Sequence, residues 1–342
     1  MRVGVCDFPS AYRFPPDGYG GIERWLWAVA HGAQRDGHEV HLLGPSWRPD
    51  LPAGFGRLPV RLEDLRPGDD GFRQLAQLDL DVLIVGHEYP SLPAWRSTWS
   101  ALGCRVATFQ HDPNFRHASG AFDDHQARLF CYSPEMVRRY GEQRPAQTLS
   151  VQFGLGEEAP PPASRGQDLV WLGRIDEQKA PHIAVEAARL LGRRIQLIGP
   201  VLDENYARQH QAALHAPHVE LVGEVAGPDK LELLRRGQVM VYTCARDYVE
   251  AGAAVFGESL RSGTPVAALA WRPGTCAEVA LCRTTGMVAE VPAGTAADAA
   301  AQHLAAAIAK AEQLDAEAVQ LVGLTRFDAA RHFRVLAHGH DG

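Results

Sequence analysis

The pattern of hydrophobic and polar positions in residues 1–44 predicts a strand, a loop, a helix and a second strand, in that order. Residues 3–6 form a short apolar run typical of a buried strand, and the prolines and glycines of residues 9–21 forbid regular structure after it. Apolar residues then recur with a helical period over residues 22–33, and Gly37 is a natural helix end. Because residues 40–43 predict a second strand, this segment is a unit of the kind that builds parallel sheets.

The same alternation runs through the rest of the chain and restarts once. A segment rich in proline, glycine and charge, residues 154–167, is typical of an exposed connector between domains. We predict further strands at residues 82–85, 106–109, 129–132 and 149–151 before it, and at residues 169–172, 195–198, 219–222, 239–243 and 265–269 after it. Helices are predicted at residues 181–191, 206–214, 229–235, 253–261 and 296–311, and a broken helical pattern covers residues 318–336. The fold class is therefore α/β, with two Rossmann-like, doubly wound parallel sheets in domains 1–157 and 158–317.

Composition and charge narrow the possible partners. The chain has 342 residues, of which 46% are hydrophobic and 22% charged, and its net charge is -7. An acidic chain has no general attraction for phosphate backbones or anionic lipid, so we expect no nucleic-acid partner and no stable membrane insertion. The apolar runs are too short to cross a bilayer and no signal peptide is visible, which predicts a cytoplasmic protein. The six cysteines and fifteen histidines show no CxxC or HExxH spacing, so no metal and no cofactor are expected.

A glycine-rich loop precedes the first predicted helix. Gly20 and Gly21 lack side chains, so an anion can approach the amides of the helix N-terminus, which also favour negative charge. A glycine cluster alone is more often a flexible turn. It is also not a dinucleotide fingerprint, because it begins well after the strand and no acidic residue ends the second strand.

A second group follows the strand predicted at residues 169–172. Gly173 and Arg174 come directly after the strand, and Lys179 comes five residues later. A guanidinium fork and an ammonium can bracket a diphosphate, although such a pair alone is equally typical of a solvated surface.

Two carboxylates, Glu250 and Glu258, are separated by seven small or apolar residues that include Gly257. On one continuous helix they would lie about 12 Å apart, which is too far for the acid and base pair of a glycoside hydrolase. We expect Glu250 in the loop before the helix and Glu258 within it, each accepting hydrogen bonds from one extended hydroxylated ligand. Two further pairs that follow strands, His87 with Glu88 and Arg246 with Asp247, are more typical of surface groups.

These groups, in this order, resemble the retaining glycosyltransferases of family 4, which have the GT-B fold. The matching residues are Gly20-Gly21-Ile22-Glu23 for the GGxE loop, Gly173-Arg174 with Lys179 for the GRxxxxKG segment, Glu250 and Glu258 for the EX7E motif, residues 262–266 for the strand after it, His111 for the active-site histidine and Glu278 for the late GxxxE position. Ala180 stands where the family has a glycine.

The resemblance implies a role for each matching residue. The donor site would include Gly20, Gly21, Gly173 and Gly257, and Arg174 and Lys179 would neutralise the departing diphosphate. Glu258 would bind the ribose hydroxyls. Glu250 would bind the transferred sugar, and His111 would bond to that sugar. It also implies that residues 318–342 form a C-terminal helix that returns to the first domain. A plain C-terminal helix of the second domain is the alternative.

The implied activity is transfer of a sugar, with retention, from a nucleoside-diphosphate sugar to a hydroxyl of a small soluble acceptor. The resemblance favours a UDP sugar, hence UDP as product, and no metal. The Arg-, Ala- and Gly-rich composition resembles that of actinomycete enzymes that tailor oligosaccharide antibiotics, as in the avilamycin pathway. Three alternatives stay open: a GT-B epimerase, a non-catalytic sugar-nucleotide-binding protein, and a nicotinamide-dependent oxidoreductase, which lacks its GxGxxG motif here.

Overall fold

The computed structural model describes residues 1–7, 14–16, 21–44, 47–87, 93–113, 127–139, 148–150, 155, 159–160 and 164–339. Contacts divide the chain into two compact units. The first comprises Met1–Glu157 with Phe327–Gly342, and the second comprises Glu158–Arg326.

The first unit contains a seven-stranded sheet, and helices α1 to α4 belong to the same unit. The strands are β1 (Arg2–Cys6), β2 (Glu39–Leu43), β3 (Phe55–Leu58), β4 (Val82–Gly86), β5 (Arg105–Phe109), β6 (Ala127–Cys131) and β7 (Thr148–Ser150). The helices are α1 (Gly21–Arg35), α2 (Asp70–Gln77), α3 (Pro93–Leu102) and α4 (Pro134–Arg139), with a 3-10 turn at Leu62–Asp64. One core of this unit packs Leu43, Leu83 and Trp99 together.

The second unit contains a six-stranded sheet. Its strands are β8 (Leu169–Leu172), β9 (Ile195–Ile198), β10 (Val219–Gly223), β11 (Met240–Tyr242), β12 (Val266–Ala270) and β13 (Gly286–Glu290). Its helices are α5 (Pro181–Leu190), α6 (Glu204–Gln209), α7 (Gln211–Leu214), α8 (Gly227–Arg236), α9 (Ala254–Arg261), α10 (Cys276–Ala280), α11 (Ala297–Ala311) and α12 (Ala316–Arg326). Trp171, Ile195 and Leu304 lie in its core.

The two sheets share one strand order over six strands, and β7 extends the first sheet by one. It runs β3-β2-β1-β4-β5-β6-β7 in the first and β10-β9-β8-β11-β12-β13 in the second, with parallel pairing. This is the doubly wound order, in which the direction of winding reverses beside the first strand. The predicted α/β fold with two Rossmann-like sheets is confirmed. In such sheets ligands bind outside the carboxyl ends of the strands at that reversal, here between β1 and β4 and between β8 and β11.

Several elements differ from the sequence prediction, and helices α2, α3, α4 and α10 were not predicted individually. β3 and β13 are additional strands at sheet edges, and each contains a glycine that weakens its apolar pattern. The helix predicted at residues 206–214 breaks at His210, whose φ of -103° and ψ of 17° are not helical.

The C-terminal segment forms two helices. α12 packs on α9, and Gly323 of α12 lies so close to Leu260 that an added Cβ would be 2.5 Å from its carbonyl carbon. The chain enters the first unit at Phe327, later than the expected residue 318, because α12 remains packed on the second unit. The final helix, α13 (Ala329–His338), packs against α1, where the Trp25 indole donates to His332 Nε2 at 2.7 Å.

Candidate active site

The turn after β8 begins with Gly173, contains Lys179 and ends at Ala180, the residue before α5. Asp176 orders this turn, since its carboxylate accepts from the Lys179 amide at 2.9 Å and lies 3.3 Å from Arg174 Nε. Arg174 also donates to the Gln178 side chain at 2.8 Å. Ala180 adopts a left-handed backbone with φ of 45°, a conformation that explains why a glycine suits this position. The turn therefore presents two cations at the reversal point of the second sheet.

Lys179 is the centre of this group. Its ammonium donates to Glu250 Oε2, and the Tyr242 hydroxyl donates to the same oxygen at 2.8 Å. The Lys179 side chain is 13% exposed and that of Glu250 is 10% exposed, and the rings of Tyr242 and Tyr248 lie 5.8 and 5.5 Å from Nζ. A mostly buried ion pair has little water to screen it, so each partner constrains the position of the other.

Burial lowers the pKa of the Lys179 ammonium to about 8, and the positive charge of Arg174 acts in the same direction. By the family resemblance, the charge of Lys179 would attract a diphosphate, so we expect kcat/KM to decline as pH rises through about 8, where that charge is lost. Arg174→Met should move this alkaline limb to higher pH, since it removes a neighbouring like charge. A pH profile of kcat/KM at constant ionic strength measures both effects. A profile that stays flat well above that pH, or a limb unmoved by the substitution, would contradict the assignment to Lys179.

Glu250 and Glu258 occupy the positions expected of them but have different partners. Glu250 precedes α9, whereas Glu258 lies within α9, is only 2% exposed and accepts from Lys230 Nζ of α8 at 2.8 Å. Gly257, beside it, is buried in α9. Sequence reasoning missed Lys230, because a lysine in an amphipathic surface helix gives no signal that it pairs with a buried carboxylate.

Two residues that follow β12 fix the turn leading to Glu250. The Trp271 indole donates to the Cys244 carbonyl at 2.7 Å. The Arg272 guanidinium donates to the Tyr248 carbonyl at 2.6 Å and also to the Arg246 carbonyl. Arg272 therefore positions the main chain two residues before Glu250. Further along, Glu278 accepts from the Gly274 amide and closes its own turn.

Arg272→Lys is expected to lower kcat by about tenfold while leaving the affinity for UDP, the product that the family resemblance implies, within about twofold, because lysine lacks the planar fork whose two nitrogens each reach one carbonyl. Steady-state kinetics and isothermal titration separate the two effects. Arg165→Lys is the matched control: Arg165 also donates to two main-chain carbonyls, those of Gln238 and Leu314. Equal losses of kcat in both variants would mean that Arg272 is merely structural.

The first unit presents polar side chains at the ends of adjacent strands. Asp7 follows β1, His87 follows β4 and His111 follows β5, and their strands are neighbours in the sheet. His87 Nε2 lies 3.8 Å from Asp7 Oδ2, and the rings of His87 and His111 pack edge to face at 5.8 Å. Gly86 leaves room for Asp7, since an added Cβ would lie 3.1 Å from its carboxyl carbon.

His111 is enclosed by aromatic rings. Its ring stacks on Phe109 at 5.0 Å and lies 4.7 Å from the Trp25 ring, and Nδ1 is 3.1 Å from the Tyr132 hydroxyl. Burial holds the pKa of His111 well below its usual value, with His87 and His332 acting in the same direction. The ring is therefore neutral near pH 7, and its Nε2 atom is buried without a hydrogen-bond partner in the described part of the chain.

The predicted site residues thus fall into two groups, one in each unit. The structure brings Arg174, Lys179 and Glu250 together after Gly173, and places Glu258 beside Lys230. In the first unit His87 lies close to both Asp7 and His111, and Gly21 begins α1. Gly20 and Glu88 lie outside the described residues. Asp7 was missed as a site residue, although its place at a strand end was visible in the sequence.

The described residues contain neither a metal-binding group nor a membrane-spanning helix. Within them, no three His, Cys, Asp or Glu side chains are grouped so as to bind a metal ion. Among the same residues, no helix has both the length and the apolar character that spanning a bilayer requires.

Two family models match the chain in succession. Glycosyltransferase Family 4 matches residues 19–146, and Glycosyl transferases group 1 matches residues 158–320. The first match includes Gly20, Gly21 and His111, and the second includes Arg174, Lys179, Glu250 and Glu258. No curated protein sequence matches this chain.

Solved structures with the same fold include AviGT4, a glycosyltransferase involved in avilamycin A biosynthesis, at 21% identity and a TM-score of 0.70, with 99% of each chain covered. WaaG, a glycosyltransferase involved in lipopolysaccharide biosynthesis, is 15% identical with a TM-score of 0.64 over 98% of each chain. Sucrose-phosphate synthase from Thermosynechococcus elongatus is 16% identical with a TM-score of 0.61 over 98% of this chain and 96% of its own. At these identities the structures show the GT-B fold, whereas the family models indicate the activity. The chain is therefore a glycosyltransferase of the GT-B type, whose first half matches the family 4 model and whose second half matches the group 1 model.

Proposed function

We propose that the chain transfers a glycosyl group from a UDP sugar to a hydroxyl of a small acceptor, with retention at the anomeric carbon and without a metal ion. The observation that supports this most is the mostly buried Lys179 ammonium, bonded to Glu250 beside Arg174 at the reversal point of the second sheet. Cations fixed at a strand end match the family position for the donor diphosphate.

The chemistry follows from where charge develops. The bond between the anomeric carbon and the donor phosphate oxygen breaks, and both of its electrons leave with the diphosphate. The guanidinium of Arg174 and the ammonium of Lys179 stabilise that departing charge more than they stabilise the intact donor. The acceptor oxygen bonds to the anomeric carbon on the same face, and its proton passes to the leaving phosphate oxygen.

Glu250 would orient the transferred sugar. When Lys179 turns to the diphosphate, Glu250 is free to accept hydrogen bonds from sugar hydroxyls. His111 of the first unit is the residue to which the family resemblance assigns a bond to the sugar, and its aromatic surroundings fix the orientation of its ring. Glu258, kept in place by Lys230, would bind the ribose hydroxyls.

The acceptor we propose is a small hydroxylated molecule of the oligosaccharide-antibiotic kind. The composition of the chain and a fold neighbour from avilamycin A biosynthesis support this acceptor class. The site geometry, by contrast, supports the donor class.

Thermal shifts with UDP, GDP, ADP and dTDP, each with and without EDTA, test the donor proposal. We expect UDP to give the largest rise in melting temperature, EDTA to leave it unchanged, and Lys179→Met to reduce it. A larger shift with another nucleotide would overturn the choice of UDP. No shift with any of the four would overturn nucleotide-sugar transfer itself, and a shift abolished by EDTA would overturn the metal-free site. Proton NMR of the first-formed glycoside then determines whether the anomeric configuration is retained.

A further inference from the structure

A separate pocket of about 360 Å³ lies in the second unit at the carboxyl edge of its sheet. It is bounded by the start of α5, by α6 and by the residues that follow β11 and β12. Arg174, Lys179, Glu250 and Glu258 do not line it. Its volume is at the lower end of the range for small-molecule sites, so it suits one or two rings and not a long chain.

One wall of the pocket is aromatic. The imidazoles of His182 and His210 stack at 4.1 Å with an angle of 15°, and the Tyr206 ring lies 4.5 Å from that of His210. The Tyr206 hydroxyl accepts from the His182 amide at 3.2 Å and lies 2.6 Å from His182 Nδ1, so these rings are fixed in place. Trp271 lines another side of the pocket. Such surfaces pack well against the C–H face of a saturated ring.

The rim of the pocket is hydrophilic. Glu177, Asp203, Asn205 and Gln209 line it. The side chains of Glu177 and Gln209 make no hydrogen bond to any described residue, so they remain available to a ligand. Carboxylate oxygens accept from hydroxyls and an amide both donates and accepts, so this rim matches a ligand with several hydroxyl groups.

The charges around the pocket disfavour anionic ligands such as phosphates and carboxylates. Two carboxylates, Glu177 and Asp203, face one guanidinium, that of Arg246, which already lies 4.7 Å from the Trp271 ring and donates to the Thr295 carbonyl. Burial lowers the pKa of His210. With two carboxylates against one guanidinium, the lining disfavours phosphates and carboxylates, while its hydrophilic rim disfavours a fully apolar ligand.

We propose that this pocket is a saccharide-binding site, in which an uncharged sugar packs on the wall formed by His182, Tyr206 and His210 and bonds through its hydroxyls to Glu177 and Gln209. It would bind a sugar that is already part of an acceptor or product, and it is distinct from the donor site. The proposal does not depend on which nucleotide the donor contains.

Saturation-transfer NMR and calorimetry with maltose and methyl α-D-glucopyranoside test the site, each with UDP present in excess. We expect both saccharides to bind with dissociation constants roughly in the millimolar range, unaffected by UDP. Glu177→Gln and His210→Ala should each weaken binding by about fivefold or more. Glu204→Gln, at the exposed first residue of α6 outside the pocket lining, and His303→Ala, an exposed histidine on α11, are the matched controls and should change affinity by less than about twofold.

Three results would overturn the proposal. The first is that neither saccharide binds with UDP in excess. The second is that both saccharides bind equally well to the pocket variants and to the controls. The third is that uridine competes with the saccharides, which would indicate a site for planar rings. These results are distinguishable from a failure of the donor proposal, since loss of nucleotide binding leaves saccharide binding at this pocket unchanged.

Discussion

Gly32→Ala is expected to lower the free energy of unfolding of the first unit by about 3 kcal/mol or more. Gly32 lies on α1 where α13 crosses it, and a Cβ there would be 2.2 Å from the Ala329 carbonyl oxygen and 2.5 Å from its carbon. Both are main-chain atoms, so no side-chain rotation relieves the clash and the helices must separate. Without a clash, alanine would stabilise a helix relative to glycine by up to about 1 kcal/mol. A loss of stability in Gly32→Ala would therefore indicate the clash with Ala329.

Urea denaturation measures the loss in the free energy of unfolding, and hydrogen exchange shows which helix loses protection. Amides of α13 should lose protection in Gly32→Ala, and the emission of Trp25, which bonds to His332 of α13, should change with them. Gly44→Ala is the control: an added Cβ at Gly44 meets no described atom within 4 Å, and it should change stability by less than about 0.5 kcal/mol. A Gly32→Ala protein as stable as the wild type would show that α13 is not seated closely on α1.

Most strands and several helices were predictable, because their apolar runs are long enough to show a period. The runs in β4 and β12 are uninterrupted and fully buried, as expected for parallel strands covered on both faces. β3 was not predictable, since Gly56 packs against His41 and leaves a four-residue strand with little apolar signal. The apolar periodicity predicts one helix through His210, whereas the observed helix α6 ends before it. The backbone of His210 departs from the helical region while its ring stacks on His182.

For the candidate site, the sequence identified residue types and strand ends but not partners. Arg174 and Lys179 were recognisable from their spacing after a strand. That Lys179 pairs with Glu250, seventy-one positions away, depends on β8 and β11 being neighbours in the sheet, which is a property of topology. Lys230 and Arg272 were missed for the same reason, since each acts on a residue from a different turn.

Glu250→Gln is expected to reduce transfer by about a thousandfold or more while leaving the affinity for UDP within about threefold. Glu250 would contact the transferred sugar and not the nucleotide, so its loss removes an interaction needed in the transition state. The substitution keeps the side-chain volume, and it releases the Lys179 ammonium from its carboxylate partner, so UDP binding should not suffer. Steady-state kinetics and titration calorimetry measure the two quantities separately.

Lys179→Met provides the contrasting variant, because it removes a cation that would contact the diphosphate. It should weaken UDP binding by about tenfold or more and also reduce transfer. Glu290→Gln, at the exposed end of β13, controls for loss of a carboxylate in the same unit and should leave both quantities unchanged. If Glu250→Gln instead lost UDP affinity in parallel with Lys179→Met, Glu250 would act by positioning Lys179, and its assignment to the sugar would be wrong. If it retained most of the activity, the Lys179–Glu250 pair would be a structural ion pair and the donor sugar would lie elsewhere.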